Sequence, residues 1–406
     1  MYEEQTRSLC VSKRAWLYTA ALALIAHGAA AAVVQFREHV IEPNIPGGYK
    51  VLVVDMNHDG RPDAIGLSGR SPELYWYENP SWERHVITGG MNRMISVAAD
   101  DIDGDGIPEL ALATHFSQTS ESSEGRVFHL HHQGDPRKPW RVTEFDRLPT
   151  SHRLLFADLD GDGKKELVNS PLSGAAARQP LFEDHALLVF YRPGEWKRQV
   201  IYEQLDGVVH GLGTTQWDES GRTAVLTASF GGVWLHRPVS GSAAAGNLAW
   251  SNERLSAGEP ADRPRNGASE IQVGRLAGGK RFLATIEPWH GEKVVIYTAS
   301  PNAQGQWQRH VIDDTFQDGH AVKIVDLDGD GTDEVVAGAR GEASSTYFYV
   351  AEDAQGSRWQ RHDLDIGGMA SASCDAADIN GDGRTDVVCV GARTANIKWY
   401  ENLGAK

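Results

Sequence analysis

Asp326-Leu-Asp-Gly-Asp-Gly-Thr-Asp-Glu334 is an acidic loop between two runs that read as strands, His320 to Val325 and Val335 to Ala339. The unit returns as Asp55-Met-Asn-His-Asp-Gly-Arg-Pro-Asp63, then as Asp101 to Glu109, Asp158 to Glu166 and Asp378 to Asp386. Acidic or amide side chains fall at positions 1, 3, 5 and 9, with glycine at 6. Two more stretches, Gln216 to Ala224 and Gly274 to Phe282, align without gaps but lack most of those side chains.

A second marker keeps step with the loop: an aromatic residue, a basic residue and an apolar pair. It reads Phe36-Arg-Glu-His-Val-Ile41, Trp82-Glu-Arg-His-Val-Ile87, Trp307-Gln-Arg-His-Val-Ile312 and Trp359-Gln-Arg-His362, with weaker copies starting at Trp140, Trp196 and Trp250. The seven copies are spaced 46, 58, 56, 54, 57 and 52 residues apart. Even repeats of short strands at this period predict an all-β, seven-bladed β-propeller whose four-stranded blades surround a channel. Each unit reads as inner strand, acidic hairpin, second strand, third strand and aromatic-basic outer strand. The chain opens on an outer strand, Phe36 to Ile41, and closes on a third strand, Ile397 to Glu401. The N-terminal strand is therefore expected to complete the seventh blade and remove two bare sheet edges. Loop insertions are expected at Phe116 to Gly125, Pro171 to Asp184 and Ser240 to Gly246, with no second domain after residue 33.

Forty-three glycines and 17 prolines suit a turn-rich β chain. A net charge of -16 argues against nucleic acid, which needs a basic surface. Residues 1–32 read as a signal peptide: Arg7, Lys13 and Arg14, then the apolar run Trp16 to Ala26, then small residues to Ala32. That run is too short to span a bilayer, so an exported chain, periplasmic or extracellular, is expected, with no membrane span once mature. An uncleaved anchor is the alternative. Cys374 and Cys389 flank the last acidic loop; a cross-strand disulfide and two buried thiols both fit.

The recurring loop resembles the FG-GAP/VCBS family of propeller repeats, whose loops bind calcium on one face. The resemblance implies about five structural calcium ions. Their ligands would be Asp55, Asn57, Asp59 and Asp63; Asp101, Asp103, Asp105 and Glu109; Asp158, Asp160, Asp162 and Glu166; Asp326, Asp328, Asp330 and Glu334; and Asp378, Asn380, Asp382 and Asp386. Physics agrees, because calcium takes six to eight hard oxygens and crowded carboxylates repel one another without a cation. A narrower resemblance, carried by the Trp-x-Arg-His outer strands and the Asp-Gly-His and Trp-His-Gly segments, is to the propeller part of the aldos-2-ulose dehydratases. It implies action on keto-sugars such as anhydrofructose.

Propeller function usually sits at a channel mouth. Starts of the inner strands share the face opposite the acidic loops and read Tyr49, Ile95, His152, His210, Ala268, His320 and Ala372. Ends of the second strands read Gly69-Arg70, His115, Leu172, Phe230, Glu287, Arg340 and Arg393, and the fifth unit adds Trp289 and His290. Imidazoles beside a carboxylate can hold a transition metal such as zinc or act as acid and base near neutrality. The candidate catalytic set is His152, His210, His320, Glu287, His290 and His115. Tyr49, Phe230, Trp289, Arg340 and Arg393 are candidates to hold a small carbohydrate. His39, His85, His310 and His362 belong to the outer-strand marker and read as surface or inter-blade packing residues. His129, His131 and His132 share a third strand, where a metal role is the less favoured reading. Two functions compete: a metal-assisted keto-sugar lyase at the mouth, and a non-catalytic propeller that binds glycans or proteins. No nucleophile elbow, phosphate loop or nucleotide fingerprint is present.

Overall fold

The computed structural model describes Met1 and residues 33–239, 248–300 and 307–405. Residues 2–32 of the expected leader and the insertion at 240–246 lie outside the described residues. Seven antiparallel four-stranded sheets form the molecule. Six run in chain order, and the seventh pairs β1 (Val34–Glu42) with β28 (Ile397–Ala405), then β27 (Asp386–Gly391) and β26 (Ser371–Ala377). The expected closure by the N-terminal strand is thus observed, with His39 opposite Trp399.

The other inner strands are β2 (Gly48–Val54), β6 (Ser96–Asp100), β10 (Ser151–Ala157), β14 (Val209–Gln216), β18 (Ser269–Leu276) and β22 (Gly319–Val325). Each touches the next around the ring, and β26 touches β2. The second strands are buried throughout, as in β7 (Glu109–Thr114), β15 (Thr223–Ser229) and β23 (Glu334–Ala339). They lie mid-blade with a neighbouring blade on each face, which accounts for their near-continuous apolar runs. The hydrophobic core is accordingly distributed in clusters between blades, such as Ile65, Trp76, Val97, Leu110 and Leu112. The two eroded repeats keep their hairpins, because strand pairing needs turn geometry rather than carboxylates; the second closes on the short 3-10 turn Ala277–Gly279.

The basic residue of the aromatic marker joins one blade to the next. Asp146 accepts bonds from the Tyr191 hydroxyl (2.6 Å) and Arg198 (2.7 Å) of the following blade. Asp313 does the same for Tyr349 (2.7 Å) and Arg361 (3.0 Å), while in the last blade Asp365 takes Tyr400 (2.8 Å) and, in place of a marker residue, Lys398 of β28 (2.9 Å). The marker histidines pack within their own blade rather than between blades: His39 stacks on Trp399 (4.3 Å) and His362 on Phe348 (5.0 Å). Cys374 and Cys389 face each other across β26 and β27 and are joined as a disulfide.

Candidate active site at the channel mouth

The inner strands start at the mouth, so ring-position side chains from distant repeats converge there. His152, His210 and His320 are 1–2% exposed. The His152 and His210 rings lie 4.7 Å apart, and those of His210 and His320 4.9 Å. His290 joins them at 4.8 Å from His210 and 5.1 Å from His320. It comes from the turn that follows β19 (Lys280–Glu287) and has a left-handed backbone (φ 51). Gly291, next in the chain, packs so tightly on the Glu287 backbone that a Cβ would sit 2.4 Å from it. The side chain of His290 is 28% exposed, so this ring faces the opening.

Hydrogen bonding fixes the tautomers. His320 Nδ1 donates to the Ala372 carbonyl (2.6 Å), and its buried Nε2 has no partner. His210 Nδ1 faces the Glu270 carboxylate at 2.8 Å and donates to it, leaving Nε2 3.2 Å from His290 Nε2. Both histidines therefore aim an Nε2 lone pair into the cluster, with the other ring nitrogen held by an acceptor, the arrangement that orients metal-binding imidazoles. Ligand nitrogens of His210, His290 and His320 lie within 4.8 Å of one another. Such a set fits a transition ion with Zn–N bonds of about 2.0–2.1 Å after small side-chain movements.

Tyr49 closes the ring from the first blade: its hydroxyl is 2.8 Å from His152 Nε2 and accepts a longer bond from Arg153 (3.4 Å). Arg153 also pairs with Glu270 (2.6 Å) and donates to the His210 carbonyl (3.1 Å). Burial, and then the charge of Arg153, hold His152 well below the ordinary histidine range. Burial followed by Arg153 acts the same way on His210, and burial followed by Arg340 on His320. His290 is lowered to about 3 by burial and then Arg340. All four rings are neutral near pH 7, free to accept a proton or an ion. Glu270, His290 and Asp318 all adopt left-handed backbones (φ 46, 51 and 58), so conformational strain concentrates here.

Several expected residues lie elsewhere. Glu287 is fully buried in its own blade, where it accepts bonds from Thr285 (2.9 Å), Arg309 (2.8 Å) and Tyr297. It serves as the fifth blade's version of the acid clamp and cannot act as a base on a ligand at the mouth. Strand alternation explains the difference: it points Glu287 into the sheet packing and leaves the following turn to supply Trp289 and His290. His115 bonds the Thr114 hydroxyl (2.8 Å), and it is Phe116 that reaches His152 (5.3 Å). Phe230 is 2% exposed and packs behind Trp289 (6.1 Å), so only Trp289 offers an open face. Arg340 contacts His290 (3.2 Å) and Asp318 (2.8 Å), whereas Arg393 stands at the rim, 3.8 Å from Glu342.

Glu270, Arg153 and Asp318 were missed in the sequence because they lie one or two places off the ring register. The insertions also contribute. Phe116 starts one, and Phe182 of the other packs edge-on to Trp289 (5.7 Å), building an aromatic wall beside the histidines.

The acidic loops lie at the opposite end. In each, the first aspartate accepts the N–H of the glycine at position 6, as Gly106 to Asp101 (2.9 Å) and Gly331 to Asp326 (3.0 Å). The position-9 carboxylate accepts the N–H of position 2, as Ile102 to Glu109 (2.9 Å). Carboxylates of Asp101, Asp103 and Glu109, of Asp158, Asp160 and Glu166, and of Asp326, Asp328 and Glu334 gather within 4.8 Å. Burial, and secondarily neighbouring aspartates, push Glu334 up to about 8 and Asp386 to about 6. The third loop carries its own cation, since Arg192 reaches Asp160 (3.0 Å) and Glu166 (3.6 Å). In the second, His131 bonds Glu109 (3.1 Å), while His132 accepts the Gly134 N–H at Nδ1 (3.1 Å) and so presents Nε2–H to Asp105 (3.4 Å). That tautomer makes His132 a donor to the loop rather than a metal ligand.

Comparison with known proteins places these features. An FG-GAP-like repeat model matches residues 55–112 and 326–389, and a model of the aldos-2-ulose dehydratase β-propeller domain matches residues 124–300. Aldos-2-ulose dehydratase of Phanerodontia chrysosporium is 22% identical over 362 residues, covering 77% of this chain and 38% of that protein. The chain thus spans well under half the length of this relative. A solved Agrocybe aegerita lectin, described for recognition of non-reducing terminal N-acetylglucosamine, aligns with a TM-score of 0.49 at 14% identity, covering 81% of this chain and 82% of the lectin. The chain is a seven-bladed β-propeller that carries FG-GAP-like repeats and is similar to the β-propeller domain of the aldos-2-ulose dehydratases.

Proposed function

We propose that this protein is an exported, calcium-stabilised propeller acting on a sugar, a metal-assisted keto-sugar lyase of the dehydratase type with its site at the histidine mouth. The observation that carries the reading is the convergence of His210, His290 and His320, two of them with Nδ1–H already committed to acceptors. Similarity to the dehydratase propeller supports it, since the matched stretch contains His152, His210, Glu270 and His290. The disulfide suits an oxidising compartment, in keeping with the apolar leader.

A transition ion held by the three imidazoles would polarise a sugar carbonyl and acidify the adjoining C–H. Tyr49 and His152, hydrogen-bonded at 2.8 Å, take that proton and return it to the departing hydroxyl, so water leaves and an enone remains. Arg153 stabilises the tyrosine oxygen while the proton is held between the two side chains. Trp289 offers its face to the sugar ring, and Arg340 donates to a sugar oxygen beside His290. In the acidic loops, calcium would offset both the burial that raises the position-9 acids and the smaller repulsion from neighbouring aspartates.

The test is ultraviolet absorbance of an enone after incubation with keto-sugars such as anhydrofructose, in zinc-loaded and zinc-stripped protein. Activity should require zinc and fall by at least about 100-fold in His152→Ala and His320→Ala. Sugar binding with no enone under any metal loading would refute the lyase and leave a glycan-binding propeller.

A further inference from the structure

Below the histidines the channel widens into a chamber of about 240 Å³, lined in part by Lys50, Arg153, Thr214, Gln272, Lys323 and Ser373. Its charged lining is unbalanced. Lys50, Arg153 and Lys323 face only two carboxylates, Glu270 and Asp375. Both carboxylates are already paired: Glu270 with Arg153 (2.6 Å) and His210 (2.8 Å), and Asp375 with Lys323 (2.7 Å) and the Val53 N–H (2.9 Å). The Lys50 side chain makes no hydrogen bond and no ion pair with any described residue. The side chains of Thr214, Gln272 and Ser373 likewise make no hydrogen bond to another described residue. All four side chains are half-buried and turn their polar atoms to the chamber, so an anion that displaced water there would supply the negative charge that Lys50 lacks.

We infer that this chamber is a binding site for a small monovalent anion, a halide or a small carboxylate, held by the Lys50 ammonium with donors from Gln272, Thr214 and Ser373. The spare positive charge sets the sign of the guest, and a chamber of roughly eight water volumes admits a halide or a small carboxylate together with its remaining water. Donors arranged around an enclosed anion give charge-assisted bonds, which are shorter and stronger than neutral ones. Lys50 shows the same imbalance in its own ionisation: burial, then Arg153, lower it to about 8 despite Asp375 and Glu270, with Lys323 adding to the lowering. His320 borders the chamber, but the Lys50 ammonium and the Thr214, Gln272 and Ser373 side chains take no part in the lyase reading, and the inference does not depend on it.

The experiment is thermal unfolding of the parent and of Lys50→Met across a titration of bromide, or of formate, with ionic strength held constant by sulfate. The parent should gain a saturable rise of roughly 2–4 °C that Lys50→Met lacks. Bromide-soaked crystals should show an anomalous peak in the chamber of the parent alone. A rise with bromide only identifies a halide site, and a rise with formate only a carboxylate site. Parallel titration curves for the two proteins, or a chamber without bromide and formate in the parent, would overturn the inference. Lys50→Met removes an unpaired, half-buried charge, so it should fold and melt no lower than the parent in sulfate. A Lys50→Gln variant that keeps the anomalous peak at full occupancy would also overturn the inference. Loss of enone formation in either protein would bear on the lyase reading alone.

Discussion

Glu270→Gln is the sharpest perturbation of the mouth, because it keeps the shape of the side chain and removes one charge. In the parent, Glu270 Oε1 lies 2.8 Å from His210 Nδ1 and 2.6 Å from Arg153. A glutamine carbonyl can still accept from His210, but it no longer makes that imidazole a stronger ligand or offsets Arg153. Loss of such an outer partner weakens metal binding by about 10–100-fold, or roughly 1.4–2.7 kcal/mol. A second effect is separable. Arg153, with 11% of its side chain exposed, would lose its one carboxylate partner among the described residues and keep only neutral acceptors. Breaking a buried pair costs about 3–5 kcal/mol, which in a chain of this size is a fall in Tm of roughly 4–6 °C. Zinc titration against a chromogenic chelator reads the first effect, and calorimetry with and without EGTA reads the second. The calcium-dependent part of the Tm should not change, since the acidic loops lie at the other end of the channel. Zinc affinity within about twofold of the parent would refute the role assigned to Glu270 and weaken the metal reading of His210.

Arg309→Met should cost about 3–5 kcal/mol by stranding buried Glu287, yet leave zinc content and enone formation intact; any specific loss of turnover would reinstate Glu287 at the mouth. Trp289→Ala should weaken sugar affinity by roughly tenfold without altering zinc affinity, as read by calorimetric titration with the sugar and with zinc. Asp326→Asn should lower bound calcium by about one equivalent by mass spectrometry of the intact holoprotein, since Asp326 anchors the Gly329 and Gly331 N–H groups and heads one ligand set. Lys50 also sets a pH dependence. Between its folded value of about 8 and the ordinary lysine value of 10.5 the unfolded chain binds more protons, so stability should rise with pH across that window in sulfate and stay flat in Lys50→Met. A parent curve that falls between pH 8 and 10 would contradict the assignment.

The ring was legible because its signals are local. The acidic nonapeptide fixes a hairpin, the aromatic-basic marker fixes an outer strand, and seven copies of the marker with five of the loop in step fix the blade count. The ring register then brought His152, His210, His320 and Tyr49 together, as the structure shows, because every inner strand starts at the same height. It failed where side-chain direction matters more than height. Glu287 shares the level of the mouth but turns into its sheet, and His115 bonds its neighbour Thr114 while Phe116 takes the contact. Glu270 was invisible because its left-handed backbone swings an off-register side chain onto His210, and nothing in the local composition signals that turn. The marker arginines were recognised as a pattern, but their partners, acids of the adjacent or same blade, appear only once the blades are packed.

Sharing the last sheet between β1 and β28 has a consequence for biosynthesis. β1 leaves the ribosome before every other strand of the propeller and finds its hydrogen-bonding partner only when β28 emerges, so in the interval it is an unprotected template for stray chains. Its sequence blunts that hazard: along Val34 to Glu42 charged Arg37, Glu38 and Glu42 interrupt the apolar residues. The propeller thus becomes resistant to mispairing in a single late event, the meeting of β1 with β28.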